Sequence, residues 1–208
     1  MADDVTIDGH IEFSVGSRRF SSRHTGFYHI YNVLACFTAL TAAGVDTKDF
    51  QAVLDGYKTQ TGRMEAFEFN KPLIMNLSKN PDGFNQNIAA MLADAGKKDL
   101  LISINDSTSD GTDITWLWDV DFEKLNDESI GRIAVAGLRK YDAALRFKYA
   151  GMDCEISDSP EQTLREFLNG GSGAVYALTN YTALFELHEK VKAMHEKYKE
   201  GREQGNEN

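Results

Sequence analysis

Residues 105–123, NDSTSDGTDITWLWDVDFE, hold five aspartates within nineteen positions: Asp106, Asp110, Asp113, Asp119 and Asp121. Carboxylates at this density can bind Mg²⁺, or can orient a histidine or an amine for proton transfer. The same stretch carries Trp116 and Trp118, the chain's two tryptophans. In an extended segment they share one face with Leu117 opposite, an arrangement that suits a protein interface. The competing expectation is that both rings pack back on the core.

A second group is Asn76, Ser78, Lys79 and Asn80 in NLSKNPDG. Lys79 can neutralise a phosphate or carboxylate while Asn76 and Asn80 orient it, and a helix opening at Gly83-Phe84 offers free N–H groups to an anion. Against this stands a plain polar turn in which Asn80-Pro81 stops a strand. The third place is Thr179-Asn180-Tyr181-Thr182, where Thr179 or Asn180 is expected to cap the last helix.

Several machines are missing. No G-x-x-x-x-G-K-[ST] loop occurs, NGGSG at 169–173 precedes a strand rather than following one, and no G-x-S-x-G elbow is present. The histidines His10, His24, His29, His188 and His195 are not grouped as metal ligands, and His188 and His195 are expected on a solvated helix face. Cys36 and Cys154 give neither a disulfide framework nor a zinc site, and a reduced cytoplasmic setting is the simplest account.

The elements that must carry these groups follow from periodicity. With 42% hydrophobic and 26% charged residues, the 208-residue chain can bury a core. Its formal charge of −10 disfavours nucleic acid as a partner. No run reaches the roughly 18 to 20 apolar residues of a transmembrane helix, and MADDVTID is acidic where an export signal is basic.

A hairpin is predicted around Gly16-Ser17, then a helix from Tyr28 to Gly44 and another over Asp46–Tyr57 capped by Thr47. Beyond Thr61-Gly62-Arg63 the pattern alternates. Apolar runs at 67–69, 73–77, 100–104, 132–136, 154–156 and 174–180 intersperse with helices at 84–96, 141–149 and 160–168, a short one at 121–125, and a last one opening on TALFEL. Ser159 is expected to cap the helix opened by Pro160. This is the βαβ pattern of a Rossmann-like parallel-sheet α/β domain over residues 63–195, preceded by a small hairpin-and-helices unit over 1–62. Residues 196–208 lack an apolar period and are expected to form a disordered tail.

The sequence also resembles a known family. GFYHIYNVLACFTALTAAG at 26–44 is similar to the helix near the end of the central ATPase domain of Mur ligases, and TGRMEAF at 61–67 to their domain junction. LIMNLSKNPDGFNQ, the 105–123 segment, LRFKYAG at 145–151 and YALTNYTALFEL are similar, more narrowly, to MurT-like ligase subunits of lipid II isoglutaminyl synthase.

The resemblance implies a partial central domain over 1–62 and a Mur ligase C-terminal domain over 63–195. It also implies a GatD-like glutaminase partner and lipid II as substrate, with the D-glutamate α-carboxylate amidated through an acyl phosphate. ATP and Mg²⁺ serve the complete enzyme, at the inner face of the membrane through the substrate.

Carried over to this sequence, Asn32 and Arg63 resemble nucleotide-side residues, and Asn76, Lys79 and Asn80 the loop facing nucleotide and substrate. Asn76 departs from the Asp used by several amino-acid-adding Mur ligases. One of Asp106, Asp110, Asp113 and Asp119 is implied to complete the partner's Cys-His pair, and Trp116 and Trp118 to sit at the interface. Phosphate loop, central-domain metal ligands and zinc-ribbon cysteines are absent. The chain alone is therefore expected to be inactive and to hold no nucleotide tightly, with a separate ATPase half as one way to complete it. A non-catalytic scaffold that docks a glutamine amidotransferase is the alternative.

Overall fold

The computed structural model describes residues 2–7, 10–22, 28–57 and 61–206, and the chain divides into two compact units, Met1–Thr59 and Gln60–Asn208.

In the first unit, β1 (Asp3–Ile7), β2 (Ile11–Val15) and β3 (Arg18–Ser22) form an antiparallel sheet. Ile11 and Phe13 alternate with polar residues, so period two sends them to one face, where they meet Phe20, Ile30, Val33 and Phe50. Val15 pairs with Arg18 across the two-residue loop Gly16-Ser17, and Gly16 takes the left-handed φ of +60° that such a loop requires. The predicted hairpin is thus β2 and β3, and the sheet has an additional strand, β1.

Helix α1 (Tyr28–Ala42) ends as Gly44 turns to φ +72° and Val45 N–H donates to the Leu40 carbonyl, the glycine-terminated close expected there. Helix α2 (Phe50–Gly56) is shorter than predicted, and Thr47 does not cap it. The Thr47 hydroxyl and carbonyl instead accept hydrogen bonds from the Arg18 guanidinium, at 2.8 and 2.6 Å.

The second unit contains β4 (Glu65–Glu68), β5 (Pro72–Leu77), α3 (Pro81–Leu92), β6 (Lys98–Ser103), short 3-10 helices at Thr115–Asp119 and Phe122–Leu125, and β7 (Ile130–Ala136). It continues through α4 (Lys140–Tyr149), β8 (Glu155–Ile156), α5 (Pro160–Leu168), β9 (Ala174–Thr179) and α6 (Tyr181–Asn206). The strands form one sheet in the order β4-β5-β9-β6-β7-β8, parallel except for β4.

Strands β6 and β9 lie at its centre and every residue of both is buried, which is why Leu100–Ile102 and Ala174–Leu178 read as apolar runs, while Lys98, Asp99 and Ser103 of β6 are buried polar residues. On one face Phe84, Ile88 and Met91 of α3 and Phe147 of α4 cover Leu100, Ile102 and Val135. On the other, Leu164 and Phe167 of α5 and Leu184, Leu187 and Val191 of α6 cover Leu101, Ala134 and Val175. The result is the three-layer Rossmann-like α/β arrangement that the alternation predicts.

Four local expectations change. Helix α3 begins at Pro81, because Asn80 caps it by accepting from Gly83 N–H at 2.8 Å. His188 is buried with Nε2 3.1 Å from a Glu65 carboxylate oxygen, and His195 meets the Glu68 carbonyl at 3.0 Å. Both pack against β4, His188 buried and His195 half-buried. Helix α6 runs on to Asn206, although the sequence beyond residue 196 lacks an apolar period. Finally, the tryptophan segment is a 3-10 turn, so its rings diverge.

Where β7 leaves the sheet, Gly137 has φ +88°, and a Cβ there would stand 2.4 Å from the Ile104 carbonyl oxygen. The same oxygen accepts from Arg139 N–H at 2.9 Å, so the turn closes tightly over β6. Gly137→Ala is expected to destabilise the chain by about 2 kcal/mol or more, read from the urea midpoint.

Candidate functional site

In open parallel sheets the strand ends point loops and helix N-termini at one edge, and ligands gather where neighbouring connections leave toward opposite faces. Here that point is between β6, whose chain continues over the α3 side, and β9, which runs into α6 on the other side. Two asparagines close it. The Asn105 N–H donates to the Asn180 side-chain oxygen at 3.0 Å, and the Asn180 amide donates back to the Asn105 carbonyl at 2.6 Å. The Asn105 side chain accepts from Leu138 N–H at 2.9 Å and donates to the Thr182 hydroxyl at 3.0 Å. Asn180 therefore bridges two strands rather than capping α6 with its side chain, and Thr179 Oγ1 is buried without a partner.

The cap of α6 comes from the aspartate segment. Asp110 accepts from Thr182 N–H at 2.8 Å and from its hydroxyl at 2.5 Å, placing a negative charge at the helix N-terminus. The other carboxylates differ in kind. Asp106 directly follows the clamped Asn105, is partly exposed, and has one ion pair, 3.5 Å from Arg139. Asp113 turns back on Thr115, whose hydroxyl and N–H hold its carboxyl below the usual range. Asp119 is exposed, and Asp121 pairs with Lys124 at 2.6 Å. Among the described residues no three His, Cys, Asp or Glu side chains are placed to share a metal ion.

The tryptophans part company. Trp116 lies on Phe84 with ring centres 5.5 Å apart, as in the core-packing expectation. Trp118 is half exposed, with Tyr149 at its edge at 5.4 Å. Buried Arg146 fixes the turn between them, donating to the Val120 carbonyl at 2.7 Å, to the Leu117 carbonyl at 3.3 Å and to Glu123 at 2.9 Å. That hydrogen bond from Arg146 holds the Glu123 carboxyl below its usual range.

At the β5 end a second polar cluster fixes Arg63. The Gly62 carbonyl accepts from Leu77 N–H at 2.7 Å, and Met64, at φ +51°, donates its N–H to the Asn76 side-chain oxygen at 3.1 Å. The Asn76 amide donates to the Asn87 side-chain oxygen, and the Asn87 amide donates to Ser78 Oγ at 2.6 Å. Asn76 is buried, with both ends of its amide occupied, and Asn80 is the α3 cap. These bonds give both asparagines a structural role at this strand end. Arg63 and Lys79 remain exposed at this same strand end, two cations that fit an anion, while Asn32 lies on an exposed face of α1 in the first unit.

Asn105 and Thr182 lie in segments singled out from the sequence, but their organising roles were not anticipated, nor were those of Asn87 and Arg146. Asn87 left a trace as a polar residue between Phe84 and Ile88 on the apolar face of its helix. Hollows occur among the described residues. One of about 260 Å³ adjoins the clamp, lined in part by Asn105, Gly137, Lys140, Asp158 and Lys190. Another, of about 420 Å³, is lined by Phe69, Arg165, Met194 and Tyr198 and touches none of the predicted site residues.

Residues 77–184 match the family model described as MurT ligase C-terminal. The chain is 31% identical over 182 residues to the MurT subunit of lipid II isoglutaminyl synthase (glutamine-hydrolyzing) from Staphylococcus aureus strain COL, covering 86% of this chain and 41% of that protein. Its identity to the corresponding Streptococcus pneumoniae subunit is 30%, covering 85% and 40%. The chain thus spans about two fifths of the length of these relatives.

Among solved structures, a MurF from Acinetobacter baumannii superposes with a TM-score of 0.72 at 13% identity, covering 94% of this chain and 45% of that one. A Thermotoga maritima MurF ligase in complex with ADP gives 0.67 at 21%, covering 97% and 47%. These likenesses establish a Mur ligase-like fold.

Two substitutions test the organisation. Asp110→Ala, which removes the α6 cap, is expected to cost about 1 to 2 kcal/mol in chemical denaturation. Arg146→Ala leaves the Leu117 and Val120 carbonyls without their donor and is expected to cost about 2 to 4 kcal/mol, with a shift in Trp118 fluorescence as its turn loosens.

Proposed function

The chain belongs to the MurT ligase C-terminal family, and from that premise we propose that it serves as the C-terminal part of the ligase subunit of a lipid II isoglutaminyl synthase. In this reading the complete assembly amidates the D-glutamate α-carboxylate of the lipid II stem peptide. Ammonia cannot displace oxide from a carboxylate. ATP therefore first transfers its terminal phosphoryl group to a carboxylate oxygen, releasing ADP. Ammonia then attacks the acyl phosphate carbon, and phosphate leaves as the amide forms. A glutaminase subunit of the GatD type supplies the ammonia by hydrolysing glutamine to glutamate. The work is done in the cytoplasm, at the inner face of the membrane where the lipid-linked substrate lies.

This chain's part is closure and docking. Arg63 and Lys79, exposed together beyond β5, fit the phosphates of a nucleotide held by a central domain. Mg²⁺ accompanies ATP in the complete enzyme, and the carboxylates described here fit protein contacts better than a metal. The sequence contains no phosphate loop, so the isolated chain is expected to turn over neither ATP nor an amide. Calorimetric titration that found tight Mg-ATP binding to it would contradict that.

The observation that carries the partner role is the state of the four candidate aspartates. A triad carboxylate must be held rigidly, be reachable, and keep lone pairs free for the histidine N–H. Asp110 spends both oxygens on Thr182, Asp113 is turned back on Thr115, and Asp119 is exposed at the end of a short turn. Asp106 fits these conditions best, its backbone following the clamped Asn105 and its partly exposed carboxyl bound, among the described residues, through one 3.5 Å ion pair. The closure of the β6/β9 crevice by Asn105 and Asn180 favours a second reading, a docking module with no chemistry of its own. Rescue of amidation by a separately supplied ATPase half separates the two.

Asp106→Asn is expected to lower glutamine hydrolysis by the assembled partner by about 10²-fold or more, since an amide fails to fix the histidine tautomer. Asp113→Asn and Asp119→Asn should remain within a few-fold of the parent. Loss confined to Asp119→Asn would reassign the role.

A further inference from the structure

The turn that carries Arg63 holds two left-handed residues, Gly62 at φ +74° and Met64 at φ +51°. Glycine adopts that conformation freely, but a methionine keeps it only where its surroundings over-determine it. Three ties do so here. Beyond the Leu77 and Asn76 bonds already described, Glu65 reaches back across Arg63, and its Oε2 accepts from the buried Gly62 N–H at 3.1 Å. Its other oxygen faces α6, with Oε1 3.1 Å from His188 Nε2. The imidazole is itself seated, its ring T-shaped to Phe67 at 5.7 Å and its Nδ1 3.6 Å from a Glu189 carboxylate oxygen. One carboxylate thus joins the turn before β4 to a helix residue 123 positions away from it.

Resting on the functional reading above, in which Arg63 meets nucleotide phosphates, we propose that Glu65 and His188 are positioning residues for Arg63. Neither is placed to meet the ligand itself, since His188 is buried and both Glu65 oxygens have partners inside this unit. Their effect falls on the backbone. Gly62, before Arg63, is held by Glu65 and by Leu77, and Met64, after it, is held by Asn76. The root of the Arg63 side chain is therefore set while its guanidinium stays exposed. A long, flexible cation whose root is fixed in advance loses less freedom on meeting a phosphate, and the saving appears in affinity and in alignment. Without the Glu65 carboxylate the buried Gly62 N–H loses its acceptor and the left-handed turn loses one of its supports.

The test is a double-mutant cycle in the assembled synthase, read as kcat/KM for ATP, with melting of every variant to confirm folding. Arg63→Ala is expected to lower kcat/KM by about tenfold or more, and Glu65→Ala by about three- to tenfold. The double variant Arg63→Ala/Glu65→Ala should stay within about twofold of Arg63→Ala alone, because a positioning residue then has nothing left to position. Glu65→Gln keeps an oxygen for the Gly62 N–H and should recover most of the loss. His195→Ala removes another imidazole from β4 and should keep the parent value. Amide exchange in the full chain gives an independent measure. The Gly62 N–H, protected in the parent, should exchange at least about tenfold faster in His188→Ala, with the Leu101 and Ala177 amides unchanged. Losses that multiply in the double variant, or an unchanged Gly62 exchange rate in His188→Ala, overturn the positioning role and leave Arg63 with its phosphate. An Arg63→Ala variant with the parent's kcat/KM for ATP overturns both.

Discussion

Parallel strands whose continuations leave on opposite sides of a sheet must separate at their carboxyl ends, where backbone groups lose their ladder partners. Asn105 and Asn180 satisfy those groups reciprocally between β6 and β9, and the remaining capacity of Asn105 reaches Leu138 after β7 and Thr182 in α6. Three exits are thereby set in one geometry. Asp106 inherits its position from the residue before it. Asp110, five residues along, lands on the first turn of α6 because that turn is already anchored. The acidic segment is a fixed rim.

The β5 exit uses the same economy of neutral amides. An amide can accept from Met64 N–H and donate to Asn87 at once, which a carboxylate cannot do. An asparagine therefore suits this position where an aspartate would not. A buried unpaired charge would also carry a heavy desolvation penalty. Beside this network Arg63 and Lys79 are exposed, and both are cationic.

The parallel sheet was legible because the centres of β6 and β9, at Leu100–Ile102 and Ala174–Leu178, are written as apolar runs, and because Pro160 and Ser159 announce their helix plainly. Strand β1 was missed, since DDVTI offers only the short alternation Val5-Thr6-Ile7 after two aspartates, and it is defined by its pairing with β2. The tryptophans misled in a different way. Period-two reasoning assumes an extended chain, and buried Arg146, 28 residues after Trp118 in sequence, winds the segment into a 3-10 turn instead. His188 and His195 looked solvated because the antiparallel β4 that covers them is distant in sequence. Polar networks closed between remote residues leave little trace in local pattern.

The turn at Gly62–Met64 bears on how the two units can be parted. Gly62 has no room for a side chain, since a Cβ would stand 2.3 Å from a Leu184 methyl, and Met64 supplies the donor that the buried Asn76 oxygen needs. These residues precede β4 yet belong to the sheet's interior bonding. A protease cut or a gene split meant to free the second unit intact therefore has to fall before Thr61, and one placed only a few residues later would remove a piece of its core.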